Sequence, residues 1–369
     1  MLITTYSDIL IKIISIIGTR PQIIKLAAIH NEISRSNHPI NHKWINTGQH
    51  YDPKLNDDII SELDLPQPDF QIETNQHNNN RIEEISALCT EILKAEKPDF
   101  VLLYGDTDST YAGTIAALNS SCKIAHIEAG MRSYNSQMPE EKNRIFCDQH
   151  TDLHFTASKT AQNNLINEGF HPIFTGDVMF DSFLNHTTEE TANDLSDPFA
   201  ILTIHRNYNT DESENLSNIL SAILEFANEK NLKIIFPIHP RTLKTLNQAP
   251  LNYLFQKIKA DPLIDMVEPL SYLEMQKMLK HTSLVITDSG GLQKEAYFSK
   301  TPSVIIRTET EWTEILETGM GKLAFGSKEN IKTALNSMLS KSLENYPQLF
   351  GDGQASKYIC QELIKACQK

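Results

Sequence analysis

Two doubly wound α/β domains, each a parallel sheet with helices on both faces, are what this sequence predicts. Three observations carry the expectation. Short apolar runs alternate with amphipathic stretches, the pattern of strand, crossover helix and strand. The pattern stops in a polar tract and then restarts. At 369 residues the chain also exceeds the ~250–300 residues near which single cores stop growing.

The first strand is read from "IKIISII", inside the apolar start "ILIKIISIIG". Lys12 interrupts that start, no small-residue cleavage site follows, and the segment runs into a turn, so it reads as a buried strand and not as a secretory segment. Pro21 to about Ser36 reads as a helix, Pro21 suiting its first turn. "FVLLYG" (100–105) and 108–120 make the next strand and helix, and "KIAHIEAG" (123–130) and about 140–149 the one after. The polar "NHTTEETANDLSDP" (185–198) reads as the connection between domains, and "NQHNNNR" (75–81) as a polar linker. Beyond it come "FAILTIH" (199–205), "LKIIFPIH" (232–239), "SLVITDSG" (283–290) and "PSVIIR" (302–307). The expected division is an N-terminal domain over 1–184, a C-terminal domain over 185–351, and an amphipathic helix within 352–369 docked across the two.

Bulk properties narrow the function classes. A formal net charge of −14 argues against broad attraction to nucleic acid or an anionic membrane, while leaving room for a local basic cleft that holds a phosphate. No run approaches the ~20 apolar residues of a spanning helix. The five cysteines are scattered, odd in number and free of C-x-x-C spacing, as for reduced thiols in a cytoplasm. No His/Cys/Asp spacing of a usual metal site occurs.

The predicted strands end in polar or glycine-bearing residues, and in open parallel sheets ligands sit at those ends. "TDSGGLQKEA" (287–296) follows a strand and opens a helix. Gly290 and Gly291 admit close backbone approach, the free amides and helix dipole favour a diphosphate, and Glu295 can accept from ribose hydroxyls; an ordinary Ser289 N-cap is the plain alternative. "GTRPQIIK" (18–25) has the same strand-turn-helix logic with Arg20 and Lys25 as cations, but it lacks the dinucleotide and P-loop glycine spacings. Asp106, directly after a strand, is an N-cap or a functional carboxylate. His205 and His239 end strands, with Arg206 and Arg241 close by, as phosphate or proton-transfer groups would. Trp312 reads as a structural aromatic. "HIEAGMRSYNSQMPEEKNR" (126–144) collects Glu128, Glu140 and Glu141 with Arg132 and Arg144 between flanks that read as buried; a loop gathering charge for solubility is the plain alternative, and convergence of the strand ends on one cleft favours a site.

Taken in order, "GTRPQIIK", "NTGQHYD", "GDTDST", "HIEAGMRSYNSQMPEEKNR", "GDVMFDS", "HR", "IHPRT" and "TDSGGLQKEA" resemble the non-hydrolysing UDP-N-acetylglucosamine 2-epimerase family over about residues 12–319. The resemblance implies two Rossmann-like domains facing a cleft in a glycosyltransferase-B-like fold, a homodimer, a UDP-sugar ligand, and no metal or nicotinamide cofactor. It implies epimerisation at C2 by anti elimination of UDP and syn re-addition through a 2-acetamidoglucal. It assigns catalytic roles to Asp106, Glu128, Glu140 and His205. Substrate contacts fall to Arg20, Lys25, Arg132, Arg206, His239, Ser289, Gly290, Gly291 and Glu295. Gln49 and His50 match part of a second, regulatory UDP-N-acetylglucosamine site.

Where many members read H-R-x-E-N, this chain has "HRNYN", with Tyr208 in place of the acid. "GTRPQ", "TGQHYD" and "TETEW" are more similar to the branch acting on UDP-2,3-diacetamido-2,3-dideoxy-glucuronate. A glycosyltransferase of the same fold, a hydrolysing epimerase and a non-catalytic UDP-sugar binder are the competing readings. The clustered acids at 128–141 favour epimerisation.

Overall fold

The computed structural model describes residues 10–49, 53–74, 80–186 and 198–368. Most of the expected connection at 185–198 and of the linker at 75–81 lies outside those residues. The chain divides into two compact units, 1–185 with 348–369, and 186–347.

Unit 1 carries strands β1 (Ile11–Ile17), β2 (Ile40–Asn46), β3 (Phe70–Gln71), β4 (Phe100–Tyr104), β5 (Lys123–Ile127), β6 (Leu153–Thr156) and β7 (Ile173–Phe174). Between and after them run helices α1 (Arg20–Arg35), α2 (Pro53–Glu62), α3 (Arg81–Glu96), α4 (Asp108–Asn119), α5 (Pro139–Gln149), α6 (Lys159–Asn167) and α7 (Val178–His186). The sheet order is β3-β2-β1-β4-β5-β6-β7 and every pairing is parallel. The order reverses between β1 and β4, the point at which such sheets bind ligands.

In unit 2 the strands are β8 (Phe199–Thr203), β9 (Lys233–Pro237), β10 (Ile264–Val267), β11 (Leu284–Thr287), β12 (Ser303–Ile305) and β13 (Gly321–Leu323). Its helices are α8 (Asn207–Thr210), α9 (Ser213–Lys230), α10 (Pro240–Leu246), α11 (Asn252–Ala260), α12 (Tyr272–Leu279), α13 (Gly290–Phe298), α14 (Thr313–Glu317) and α15 (Lys328–Met338). The order β10-β9-β8-β11-β12-β13 is again all parallel and reverses between β8 and β11. The last helix, α16 (Ala355–Cys367), belongs to unit 1, where the backbone N–H groups of Ala355 and Ser356 donate to the buried Asp181 carboxylate (3.1 and 2.7 Å).

Both faces of these sheets are covered, which is why the strands read as unbroken apolar runs. Successive side chains of β8 leave in opposite directions. Ala200 and Leu202 join one buried cluster with α9 residues such as Phe226, while Phe199 and Ile201 join another with Leu292 and Ala296 of α13. In unit 1, Ile14 and Ile16 pack with Val101, Leu103, Ala112 and Ala116. Among the described residues no helix is long and apolar enough to cross a membrane. All five cysteines are unpaired.

Candidate active site

The unit 1 switch point is assembled by α1 reaching across from β1 to β4. Gln22 anchors it: its Oε1 accepts from the backbone N–H of Gly18 (2.9 Å) and Thr19 (3.2 Å), and its Nε2 donates to the Tyr104 carbonyl (2.8 Å) and Thr110 Oγ1 (3.1 Å). Gly18 admits no side chain there, since a Cβ would lie 2.1 Å from Thr47 Oγ1. One helical turn past Gln22, the buried Lys25 donates from Nζ to Glu128 Oε1 at 2.6 Å. Gly105 lies against that pair with φ +62°, where a Cβ would sit 3.2 Å from Lys25 Nζ and 3.4 Å from Glu128 Oε1. Glu128 itself adopts φ +67°, a conformation that costs about 1–3 kcal/mol outside glycine and concentrates at functional sites.

Helix α5 presents a run of polar side chains to this turn. Arg144 pairs with Asp106 through Nη2 and with Glu141 through Nη1, the latter at 3.1 Å. Asn143 donates to the Asp106 carbonyl (3.1 Å) and to Asp108 Oδ1 (3.2 Å). The Asp106 carboxyl is pushed above the usual range chiefly by burial, with Glu128 pushing the same way and Arg144 and Lys25 opposing. Glu141 is committed to the loop that precedes its helix, accepting from Ser133 N and Oγ and from Tyr134 N, each at 2.9 Å. Glu140, in the first turn of α5, is half-buried and makes no ion pair among the described residues. Arg20, the first residue of α1, is likewise half-buried and without an ion pair among the described residues.

Arg132, expected at the substrate, and Gln49, expected at a second, regulatory site, both bond other groups of unit 1. Arg132 directs Nε and Nη2 at Glu168 (2.7 Å each) and Nη1 at Asp148 Oδ2 (2.7 Å), so its buried guanidinium holds protein carboxylates. Gln49 accepts from the backbone N–H (3.0 Å) and the hydroxyl (2.7 Å) of Ser109 at the start of α4. His50 lies outside the described residues.

In unit 2 the switch point is organised by Asp288, which sits wholly buried between β11 and α13. Its carboxylate accepts from the backbone N–H groups of His205 (3.0 Å) and Arg206 (2.9 Å) and from Asn209 Nδ2 (3.0 Å), with His205 Nδ1 at 3.1 Å. Burial lowers the His205 pKa, with Arg206 adding to the effect and Asp288 opposing it. His239 stands with its ring centroid 5.8 Å from that of His205 and caps α10, its Nδ1 accepting from Arg241 N at 3.2 Å. That bond requires the proton of a neutral His239 to be on Nε2. Arg241 is ion-paired with Asp211 (2.9 Å).

Ser289 caps α13 through its hydroxyl, and Gly290 and Gly291 open the helix, so the first amides of α13 have no intrahelical acceptor. A Cβ on Gly290 would meet Glu311 Oε1 at 2.7 Å, and Glu311 is held by Arg307 at 2.9 Å. Glu295 is buried on the same helix, and Lys294 places Nζ 4.2 Å from the Trp312 ring centroid. Arg206 keeps a buried Nε with no acceptor among the described residues.

Lys25, Asp106 and Glu128 come together in unit 1, and His205, Arg206, His239 and Ser289 in unit 2. Arg144, Asn143 and Asp288 were not among the expected site residues, although all three touch expected ones. A signal for Arg144 was present: it follows Glu140 and Glu141 at helical spacings of four and three, which puts it on their face of α5.

The family model for UDP-N-acetylglucosamine 2-epimerase matches residues 31–364. A UDP-N-acetylglucosamine 2-epimerase homolog of Methanococcus maripaludis is 41% identical over 95% of this chain and 99% of its own length. The UDP-2,3-diacetamido-2,3-dideoxy-D-glucuronate 2-epimerase of Pseudomonas aeruginosa is 37% identical over 96% of this chain and 99% of its own. Among solved structures, the UDP-GlcNAc 2-epimerase of Methanocaldococcus jannaschii in complex with UDP-GlcNAc and UDP superposes with a TM-score of 0.84 at 34% identity, over 96% of this chain and 99% of that one. With two parallel α/β sheets, a glycosyltransferase-B-like architecture and this match along nearly its whole length, the chain belongs to the UDP-N-acetylglucosamine 2-epimerase family of isomerases.

Proposed function

We propose that the protein interconverts the C2 epimers of a UDP-N-acetylhexosamine, UDP-N-acetylglucosamine and UDP-N-acetylmannosamine, by eliminating UDP and adding it back. The observation that carries the reading is the pair of acids in unlike surroundings at the unit 1 switch point: Glu128 against the Lys25 ammonium, and Asp106 pushed up by burial. The hydrogen on C2 is not next to a carbonyl and is barely acidic, so its removal must accompany departure of the diphosphate from C1. A carboxylate takes the C2 proton as the C1–O electrons leave with UDP, giving a 2-acetamidoglucal; re-addition returns a proton to the other face of C2. Acids whose environments differ are suited to taking a proton and giving one back.

The remaining roles follow from chemistry at each switch point. Gly290, Gly291 and the α13 amides suit the diphosphate, with Arg206 and a neutral His205 beside them for the departing charge. Glu295 suits the ribose hydroxyls, and Arg20, uncommitted among the described residues, suits a further anionic group. Glu140, without an ion pair among the described residues, is a third proton-transfer acid. Arg132 and Arg144 are positioning groups in this reading. A homodimer, as the family resemblance implies, working in a reducing cytoplasm, as the scattered cysteines suggest, completes it.

A second reading takes UDP-2,3-diacetamido-2,3-dideoxy-glucuronate as substrate, favoured by the 37% identity to the Pseudomonas aeruginosa enzyme of that name. One experiment separates the possibilities. Each UDP-sugar is incubated with the protein in D₂O and followed by NMR. The expected result is deuterium at C2 together with the C2 epimer still joined to UDP, for one of the two substrates far more than for the other. Folded, UDP-binding protein that exchanges nothing at C2 on either substrate refutes the proposal. UDP release only with an added acceptor assigns a glycosyltransferase instead, and free N-acetylmannosamine a hydrolysing enzyme.

A further inference from the structure

Behind the two acids lies a buried charged group that the proposed reaction does not use directly. His126, on β5, is fully buried, and both of its ring nitrogens are engaged: Nδ1 lies 2.7 Å from Asp148 Oδ1, and Nε2 lies 2.7 Å from the Gly105 carbonyl. A carbonyl oxygen only accepts, so Nε2 carries hydrogen. Asp148, also fully buried, accepts through Oδ2 from Arg132 Nη1 (2.7 Å) and from the backbone N–H of Gly130 (3.1 Å). A carboxyl oxygen pair receiving a guanidinium and an amide on one side is ionised, and it therefore accepts from Nδ1 as well. Both nitrogens donate, and His126 is an imidazolium.

The two partners touch the two turns that bear the acids. The His126 ring holds the carbonyl of Gly105, the residue before Asp106. Asp148 holds the amide of Gly130, two residues after Glu128, and through α5 it stands one helical turn beyond Arg144, which grips Asp106. Resting on the reaction proposed above, we infer that His126 and Asp148 are a positioning pair that fixes the Gly105–Asp106 and Glu128–Gly130 turns relative to each other, so that the acids address the same carbon. Neither group touches the sugar in this assignment; each acts through a backbone hydrogen bond.

The charge state has a pH consequence. The groups facing His126 are Cys147 and Asp148 on α5, Arg132 in the loop after β5 and His154 on β6, with Glu168 behind Arg132. Burial alone would lower the His126 pKa, but Cys147 and Asp148 outweigh it and raise it well above 6.5. Asp148, which burial alone would raise, is held below its ordinary range by His126 and Arg132. His154 is lowered by burial and stays neutral. A raised imidazole is fully charged below its unfolded value and loses its proton as pH rises through the folded one, so the positioning bond is complete at neutral pH and weakens on the alkaline side.

The test compares wild type and Asp148→Asn. Asparagine keeps the size and an acceptor for Arg132 but cannot hold the imidazolium. The expected result is a fall in kcat on the order of tenfold to a hundredfold, with UDP affinity, a property assigned to unit 2, within about twofold of wild type. The alkaline limb of the kcat profile also moves to lower pH, which mere loosening of the fold would not produce. A measurement on wild type alone serves if the variant does not fold: ring ¹⁵N and N–H resonances of His126 at pH 7 should report both nitrogens protonated, and a neutral ring overturns the assignment. Wild type that exchanges nothing at C2 sinks the reaction and this role together. Wild type that exchanges, beside a folded Asp148→Asn with kcat within about twofold and an unmoved alkaline limb, sinks this role alone.

Discussion

Glu128→Gln lowers turnover by about a hundredfold or more while UDP binding stays near wild type, the expected scale for losing an acid-base group. The split follows from where the residues are. Glu128 belongs to the unit 1 switch point, whereas the glycine turn assigned to the diphosphate is at the start of α13 in unit 2. The substitution also touches stability, because Lys25 is buried at 5% exposure and loses the carboxylate 2.6 Å away. Breaking a buried pair outright costs about 3–5 kcal/mol. The glutamine oxygen can still accept from Nζ, so the loss is expected to be smaller and the variant to remain folded. Initial rates of C2 exchange, calorimetric UDP titration and a melting curve read the three quantities separately. Near-normal exchange by the folded variant removes Glu128 from the chemistry.

The largest effect expected in unit 2 comes from Asp288→Ala. Asp288 is at 0% exposure and its carboxylate satisfies two backbone amides and the Asn209 side chain while standing beside His205. Each buried donor left without an acceptor costs about 1–3 kcal/mol, and the losses within one network are not additive, so a total of about 3–5 kcal/mol is expected. The same amides fix the His205–Arg206 turn at the end of β8, so UDP affinity is expected to fall about tenfold or more in whatever fraction stays folded. Denaturant unfolding and UDP calorimetry at a temperature where the variant is folded measure the two. A midpoint and a UDP affinity both unchanged would mean that Asp288 organises neither.

Strands and their order of appearance were legible because a strand buried on both faces must be apolar at every position. "FVLLYG" and "SLVITDSG" could not be solvated segments, and they became β4 and β11. The resemblance in eight blocks placed the chain in its family before any coordinate, and the fold agrees. The amphipathic end of the chain became α16, and its attachment to Asp181 in unit 1 was not readable, because a helix face reports that it is covered and not what covers it. Arg132 shows the same limit. The expectation of a substrate contact came with the family resemblance, and the sequence could not show which carboxylates a long guanidinium reaches; here those are Asp148 and Glu168.

From sequence alone come the two doubly wound domains and the identity of the residues that end each strand, since both depend on patterns spanning only a few neighbouring positions. The tertiary structure alone decided which of those residues meet. Lys25 and Glu128 are 103 positions apart, and Asp106 and Arg144 are 38 apart. They come into contact because β1, β4 and β5 are neighbours in the sheet, an order imposed by parallel pairing across the whole unit. The charge on His126 is of the same kind. Its residue type permits either state, and only the carboxylate and carbonyl brought to its two nitrogens select one.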